Sequence, residues 1–189
     1  MIQSLITDSS YYSQTPQKLV HQLTKSYKNY HPKMVTFRDK SNRNPHRLIA
    51  AFVKRAKHLG IQEIFINSHI HYALLYKASG VHLTSRQFSR IKRAKSLGLK
   101  VAISTHTQTE IAKALRLGAD YIYYSPIFAT PGKGEPKGLE ELKRVNATMR
   151  AKIIALGGIT TPAQIKAIKE CKVYGFASIR YFLKEKNGI

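Results

Sequence analysis

The stretch Lys152-Ile-Ile-Ala-Leu-Gly-Gly-Ile-Thr-Thr-Pro162 contains the pattern that decides the fold. The aliphatic run from Lys152 to Ala155 predicts a short buried strand, and Thr161-Pro162 is typical of a helix start with threonine as the N-cap. A strand that passes through Gly157-Gly158 directly into a helix is the β-then-α unit of a parallel sheet. Backbone N–H groups exposed at such a turn can hold a phosphate, although a simple tight turn also explains the two glycines.

The same β-then-α order recurs along the chain outward from this unit. Helix-like segments such as Asn44 to Leu59 carry apolar residues at helical spacing, and Leu-Gly pairs end them at Gly60, Gly98 and Gly118. Eight strands are predicted: Ile2 to Thr7, Met34 to Phe37, Glu63 to Ile66, Gly80 to Leu83, Lys100 to Ser104, Asp120 to Tyr124, Lys152 to Ala155 and Val173 to Ala177. Eight such units predict an α/β fold, a single (β/α)8 TIM barrel with trimmed termini. An open doubly wound sheet has the same local pattern and stays an alternative at this point.

The length of 189 residues and the 43% hydrophobic content fit one domain spanning residues 1–189. No apolar run approaches the ~18 residues of a membrane span, and Met1 to Leu5 lacks the features of a signal peptide, so we expect a cytoplasmic protein without a membrane partner. Cys171 is the single cysteine and is expected to be a reduced, structural thiol.

The charge is strongly basic, with 32 Lys and Arg against 10 Asp and Glu and a net charge of +22. Such a field attracts nucleic acid, acidic membranes and phosphorylated metabolites alike. The basic residues are spread along helices expected on the outside, for example Lys54 to Lys57 and Arg90 to Lys95, which favours a solvated basic surface. Nucleic acid is therefore expected to bind only nonspecifically.

In a barrel, functional residues lie at the C-terminal ends of the strands and in the loops that follow. This rule selects Asp8, Arg38 to Lys40, Asn67, His82, Ser104 to His106, Pro126 to Gly138, Gly157, Gly158, Ala177 and Ser178, and it places Asp120 on the opposite rim. Because the phosphate cradle of this fold is often built after strands seven and eight, position favours phosphate binding over a bare turn at Gly157-Gly158. Lys133, in the long loop from Ser125 to Gly134, fits a lid that reaches a second anionic group.

Several segments, taken in order, resemble the thiamine phosphate synthase/TenI family over most of the chain. They are Val35-Thr-Phe-Arg-Asp-Lys40, Ile66-Asn67, Ser79-Gly-Val-His-Leu83, Ile103-Ser-Thr-His106, Gly118-Ala-Asp-Tyr121, Pro126-Ile-Phe-Ala-Thr130 with Lys133, Gly138-Leu139, Ala155-Leu-Gly-Gly-Ile159 and Gly175-Phe-Ala-Ser-Ile179. The resemblance implies one set of residues that holds the pyrimidine pyrophosphate of the synthase reaction: Arg38, Lys40, Asn67 and Lys133. It implies a second set that binds the thiazole phosphate: Thr130, Gly157, Gly158, Ser178 and Ile179. It also implies that Ser104 lies near the reacting centre and that His106 is the acid/base residue, as in TenI-type tautomerases.

The chain departs from the synthase pattern where that pattern holds Mg²⁺. The family has Asn-Asp after the third strand and an aspartate beyond the Gly-x-His strand, whereas this chain has Asn67-Ser68 and Thr84-Ser-Arg-Gln87. Neutral serine and glutamine oxygens bind Mg²⁺ more weakly than carboxylates do. A second threonine usual before the loop lysine is replaced by Gly132.

These departures favour a TenI-like thiazole tautomerase that needs no metal, since proton transfer between two carbons requires a phosphate anchor, a cation for the carboxylate and a histidine. No cofactor is expected, and Mg²⁺ is expected only if synthase activity is retained. Two alternatives stay open. One is a divergent thiamine phosphate synthase that also takes the pyrimidine pyrophosphate, and the other is a non-catalytic barrel that binds phosphorylated ligands or polyanions. A homo-oligomer is an open alternative to a monomer.

The same residues have structural explanations. The Ser-Thr-His tripeptide also occurs in synthases that do not use the histidine as a base, so capping or packing is an equal alternative for His106. His82 is expected to make a structural hydrogen bond, and Tyr121, Tyr123 and Tyr124 to pack in the barrel. His69 and His71, two positions apart, are expected on different faces of a helix, which argues against a metal site there.

Overall fold

The strands close into a barrel in which each one pairs in parallel with its neighbours in chain order, β1 to β8 and back to β1. The computed structural model describes residues 1–12, 15–42 and 44–184. The strands are β1 (Ile2–Ile6), β2 (Met34–Phe37), β3 (Glu63–Asn67), β4 (Gly80–Leu83), β5 (Lys100–Thr105), β6 (Tyr121–Tyr124), β7 (Ile153–Leu156) and β8 (Gly175–Ser178). Closure confirms the (β/α)8 prediction and removes the open-sheet alternative.

Helices connect successive strands on the outside of the barrel. They are α1 (Pro16–Tyr30), α2 (His46–His58), α3 (Ile70–Leu75), α4 (Arg90–Ser96), α5 (Gln108–Arg116), α6 (Gly138–Arg144), α7 (Ala147–Arg150) and α8 (Pro162–Glu170). Within the described ranges, β8 is followed only by the short 3-10 helix Tyr181–Leu183, as the expectation of a trimmed last helix requires.

The helix ends follow the sequence signals. Thr161 caps α8 in a capping box with Gln164, and α2, α4 and α5 end in Leu-Gly pairs whose glycines, Gly60, Gly98 and Gly118, have positive φ angles. Glycine pays no Cβ penalty in this conformation. The boundaries differ from the predicted ones by one or two residues, which is the usual uncertainty at strand and helix ends.

Two apolar layers fill the fold. Alternate strand residues point into the barrel, where Ile6, Met34, Phe65, Ala102, Tyr123, Ile154 and Ala177 form an inner cluster. The other residues pack against the helices in a larger outer cluster. In β4 Gly80 leaves no room for a Cβ, which would lie 2.1 Å from the carbonyl oxygen of Lys100 and 2.6 Å from the ring of Phe65.

Two further expectations from the sequence can be compared with the structure, one for Cys171 and one for the helices. Cys171 is a buried free thiol, and burial raises its pKa. None of the helices in the described ranges has both the length and the apolar character that crossing a membrane requires.

Candidate functional site

His106 follows the C-terminal end of β5 and is held by two neighbouring segments. Its backbone N–H donates to the Glu110 carboxylate at the start of α5, and its Nδ1 lies 2.9 Å from the carbonyl oxygen of Ser125 in the loop after β6. A carbonyl oxygen only accepts, so Nδ1 carries the proton in this contact and Nε2 keeps its lone pair. The packing therefore selects the tautomer in which the outer ring nitrogen can act as a base.

Ser104 lies two residues before His106 on the inward face of β5. Its Oγ is 3.0 Å from Nε2 of His82, which projects inward from β4. His82 is 2% exposed, and its burial together with the nearby Arg38 lowers its pKa to about 3. The sequence predicted a hydrogen-bonding role for His82 but not its partner, and the structure pairs it with the serine assigned to the reacting centre.

Three cations lie at the same C-terminal end of the barrel, which we call its mouth. The guanidinium of Arg38, at the end of β2, forms an ion pair with Asp8, from the loop after β1, at 2.5 Å. The positive charge of Arg38, followed by burial and by the charge of Lys133, lowers the pKa of Lys40. Lys40 therefore lies within electrostatic range of both Arg38, from its own loop, and Lys133, from the loop after β6. No ion pair among the described residues involves Lys40 or Lys133.

Asp8 is the acidic residue next to these cations. The sequence predicted that it lies at the C-terminal ends of the strands but suggested no role for it. Burial alone would raise its pKa, but the hydrogen bond from the Ser10 amide and the contact with Arg38 hold the pKa below its usual range. Asp39 uses its carboxylate within its own turn, where it accepts from the amide and hydroxyl of Ser41, each at 2.8 Å. The Asp8 carboxylate is therefore paired with Arg38, and Oδ1 of Asp39 is bound within its own turn.

The positions where the family holds Mg²⁺ contain neutral groups that bind one another. Asn67 donates through Nδ2 to the carbonyl of His82, and the Ser68 hydroxyl contacts the Asn67 oxygen at 3.4 Å. The Gln87 oxygen accepts from the Thr84 amide at 3.0 Å. Mg²⁺ prefers anionic oxygen ligands, so this donor set does not fit the ion. Within the described ranges, no group of three or more His, Cys, Asp or Glu is arranged to hold a metal.

The glycine turn after β7 lies against the loop after β6. Gly157 and Gly158 have φ angles of 100° and 67°, and a Cβ on Gly158 would lie 2.5 Å from the carbonyl oxygen of Ala129. A Cβ on Gly157 would lie 2.7 Å from Cα of Pro126 and 3.2 Å from the hydroxyl oxygen of Thr130. Both conformation and close approach therefore require glycine here.

This glycine turn lies beside the end of β8. The carbonyls of Gly157 and Gly158 accept from the Phe128 amide and the Gln164 side chain. By contrast, within the described part of the chain the amides of Gly157, Gly158 and Ile179 donate to no protein group. The Ser178 hydroxyl donates to the carbonyl of Ile159 at 2.7 Å, which links the two segments. Free N–H groups on adjacent turns can serve as donors to an oxyanion.

The structure brings together most of the residues selected from the sequence. His106, Ser104, Arg38, Lys40, Lys133 and Asn67 lie at the ends of β2, β3 and β5 and in the loop after β6, while Thr130, Gly157, Gly158, Ser178 and Ile179 lie in that loop and at the ends of β7 and β8. Sequence reasoning missed the contacts of Asp8, Glu110 and the Ser125 carbonyl. Side chains alternate between the two faces of a strand, and this alternation places His82 and Ser104 on the inward face of adjacent strands. It could have predicted their contact from the sequence.

One expectation about histidines is wrong. His69 and His71 were expected on different faces of a helix, but their ring centroids are 5.6 Å apart. The reason is that His69 is the N-cap of α3 and has non-helical backbone angles, so helical geometry does not separate the two rings.

A cavity lies at the end of the barrel opposite the mouth. This cavity of about 630 Å³ at the N-terminal rim is lined by loop residues that include Lys33, Lys172 and Tyr174. It contains none of the residues selected from the sequence, and the turns and titratable groups described above do not reach it.

The comparisons with known proteins agree with this arrangement. A family model described as thiamine monophosphate synthase matches residues 4–182. The chain is 35% identical to the "Putative thiamine-phosphate synthase 2" of Aquifex aeolicus over 161 residues, covering 80% of this chain and 83% of the relative. It is 29% identical to the thiamine-phosphate synthase of Syntrophomonas wolfei, covering 77% and 72% of the two chains. The solved thiamine phosphate pyrophosphorylase of Pyrococcus furiosus superposes with a TM-score of 0.82 at 21% identity, over 97% of this chain and 88% of that one.

Proposed function

The chain belongs to the thiamine monophosphate synthase family, and from that premise we propose that it is a tautomerase that moves a proton between two carbons of a phosphorylated thiazole carboxylate without a metal ion. The observation that carries the proposal is the contact between Nδ1 of His106 and the Ser125 carbonyl. That contact leaves Nε2 of His106 as the proton acceptor at the mouth of the barrel.

His106 performs both proton transfers in this reaction. Its Nε2 takes a proton from one carbon, the electron pair left behind shifts through the conjugated system, and the same nitrogen returns the proton to a second carbon. Substrate and product therefore differ only in the position of one proton and of the double bonds. A positioned histidine contributes roughly 10²- to 10⁴-fold to such a step.

The substrate's two anionic groups have separate partners. The free amides of Gly157, Gly158 and Ile179 suit the phosphate, and Ser178 ties their two segments together. Lys40 and Lys133, neither in an ion pair within the described ranges, suit the carboxylate together with Arg38. Negative charge that spreads onto the carboxylate when the proton leaves is stabilised by the same cations.

The alternative reaction is the coupling of a pyrimidine pyrophosphate to the thiazole phosphate. The names of the relatives favour it, and the cations Arg38, Lys40 and Lys133 suit a pyrophosphate leaving group. Against it stand Ser68 and Gln87, neutral residues at the positions where the family holds Mg²⁺, both in contact with neighbouring groups. For this reason we place the tautomerase first and the divergent synthase second.

Two assays on the purified full chain separate these functions. The thiazole tautomer is followed by the change in its ultraviolet spectrum without metal and with EDTA, and the coupling reaction by pyrophosphate release with and without Mg²⁺. The tautomerase proposal expects turnover in the first assay that EDTA does not change. Turnover in the second assay alone identifies the synthase, and no turnover in either contradicts both enzymatic functions.

The role of His106 is tested by substitution to alanine and to glutamine. We expect kcat to fall about 10²- to 10⁴-fold in both variants, because neither side chain exchanges a proton near neutral pH. His71→Ala, on the exposed face of α3, is the matched control and should retain full activity. Equal turnover by wild type and His106→Ala contradicts the assignment.

A further inference from the structure

His82 is a buried histidine that contacts Ser104. His82 projects from β4 into the barrel and places Nε2 3.0 Å from Oγ of Ser104 on the neighbouring strand. It is 2% exposed, whereas Ser104 is only partly buried and reaches the mouth. The serine thus connects the interior histidine with the space in which His106 and the cations lie.

The ring of His82 is fixed on several sides. It stacks on Tyr123 with ring centroids 4.2 Å apart and an interplanar angle of 25°. Tyr123 is itself held by a 2.7 Å hydrogen bond to Ser4, and the His82 carbonyl accepts from Asn67. A side chain so tightly packed presents its nitrogens in one orientation.

The protonation state follows from the burial. Because burial and Arg38 keep the pKa of His82 at about 3, the ring is neutral at physiological pH and carries a single N–H. Within the described residues, buried Nδ1 has no hydrogen-bond partner. A buried N–H without an acceptor is rarer in proteins than a buried acceptor without a donor, so the proton belongs on Nε2.

We propose that His82 is a positioning residue that donates from Nε2 to the Ser104 hydroxyl and thereby turns the hydroxyl proton of Ser104 toward the substrate. Ser104 then acts as a hydrogen-bond donor at the mouth. This inference rests on the proposed tautomerase function, in which a donor beside His106 stabilises the negative charge that forms when the proton leaves the substrate.

Activity measurements test the link between the two residues by a double-mutant cycle. The variants are His82→Phe, which keeps an aromatic ring against Tyr123 but removes the N–H, Ser104→Ala, and the double variant. We expect each single variant to lower kcat by about 10- to 100-fold, and the double variant to be no slower than Ser104→Ala. If the fold-losses in kcat of the two single variants multiply in the double variant, His82 does not act through Ser104.

Two further variants, His82→Gln and His82→Asn, separate a positioning role from a purely structural one by their effects on kcat. The amide nitrogen of glutamine falls near the position of the histidine Nε2, and that of asparagine near Nδ1. His82→Gln should therefore recover part of the lost kcat and His82→Asn should not. Thermal unfolding of all variants identifies those whose loss of activity follows loss of the fold.

Nitrogen-15 NMR of the histidine-labelled wild-type protein tests the hydrogen bond independently of any reaction. We expect the chemical shifts of His82 to show a neutral ring protonated at Nε2 and to move in Ser104→Ala. A ring protonated at Nδ1 overturns the inference even if the enzyme is active. Absence of thiazole turnover together with the Nε2 tautomer contradicts the proposed function and leaves the hydrogen bond between His82 and Ser104 established.

Discussion

At the N-terminal rim of the barrel two lysines are paired with acidic side chains, whereas at the C-terminal mouth two lysines near Arg38 are in no ion pair within the described ranges. On the rim, Lys100 pairs with Glu63, which also accepts from Tyr121, and Lys95 pairs with Asp120. At the mouth Arg38 is paired with Asp8, but Lys40 and Lys133 have no ion pair within the described ranges.

The direction of the helices adds to this difference. Each helix begins near the mouth and ends near the opposite rim, so the positive ends of the helix dipoles face the mouth. Like charges held close together destabilise a fold, as the lowered pKa of Lys40 illustrates. The two ion pairs at the rim therefore use charge for stability, and the mouth holds positive charge that an anionic ligand can neutralise.

The largest effect is expected from glycine substitutions at the mouth. Gly158→Ala combines a positive φ of 67° with a Cβ 2.5 Å from the Ala129 carbonyl oxygen. We expect the free energy of unfolding to fall by about 2–5 kcal/mol, the sum of a left-handed backbone and an overpacked contact. Urea denaturation measures the change.

Two other glycines of the chain serve as matched controls for Gly158. Gly132 has a similar φ of 68° in open space, and Gly134 has open space without a positive φ. Gly132→Ala should cost about 1–2 kcal/mol, and Gly134→Ala less than about 0.5 kcal/mol. Equal losses for Gly158→Ala and Gly132→Ala would show that close approach to the neighbouring loop contributes nothing.

The free energy of unfolding should depend on pH through His82, which lies in the barrel beneath the mouth. The pKa of His82 is about 3 in the folded protein against 6.5 for an ordinary histidine, so the unfolded chain takes up this proton first as the pH falls. The stability contributed by neutral His82 is complete above about pH 6.5 and is lost between pH 6.5 and 3.

Urea denaturation of wild type and His82→Phe between pH 7 and pH 4 isolates this contribution. Between those limits the unfolding free energy of wild type should fall with decreasing pH more steeply than that of the variant, by about 1.4 kcal/mol per pH unit. Parallel curves for the two proteins would mean that His82 is protonated in the folded state.

The third prediction removes the unpaired cations. Lys40→Met and Lys133→Met should each raise KM for the thiazole substrate by about 10-fold, the equivalent of about 1.4 kcal/mol. The free energy of unfolding should change little in either variant. The rise should shrink at high salt, because screening already weakens the wild-type contact. Lys92→Met, on the exposed face of α4, is the charge-matched control, and a similar rise in that variant would assign the effect to the net charge of the whole protein.

The smallest effect is expected at the opposite rim. Lys95→Met removes the 2.8 Å ion pair with Asp120, whose partners are 37% and 32% exposed. Exposed pairs contribute about 0.2–1 kcal/mol, so the unfolding free energy should fall by that amount while kcat and KM stay unchanged. A change in KM would contradict the separation of roles between the two ends.

The sequence predicted the strands and their order closely because the signals are local. Apolar periodicity, Leu-Gly helix ends and the Thr161-Pro162 start all depend on neighbouring residues. Barrel geometry then brings the strand ends together, so Arg38, Ser104 and His106 were predicted at one mouth without knowledge of any contact between them. The expectation for His69 and His71 failed because it assumed that the helix included His69, which is the N-cap.

What the sequence determined by itself was the βα order, the strand parity and therefore the set of residues at the mouth, since these follow from short-range pattern and chain direction. The tertiary structure alone decided how those residues pair: His106 with the Ser125 carbonyl, Arg38 with Asp8, and His82 with Ser104. Those partners are 19, 30 and 22 residues apart in the chain. Their contacts depend on how neighbouring strands and loops pack, and local sequence pattern does not encode the direction of a side chain across that distance.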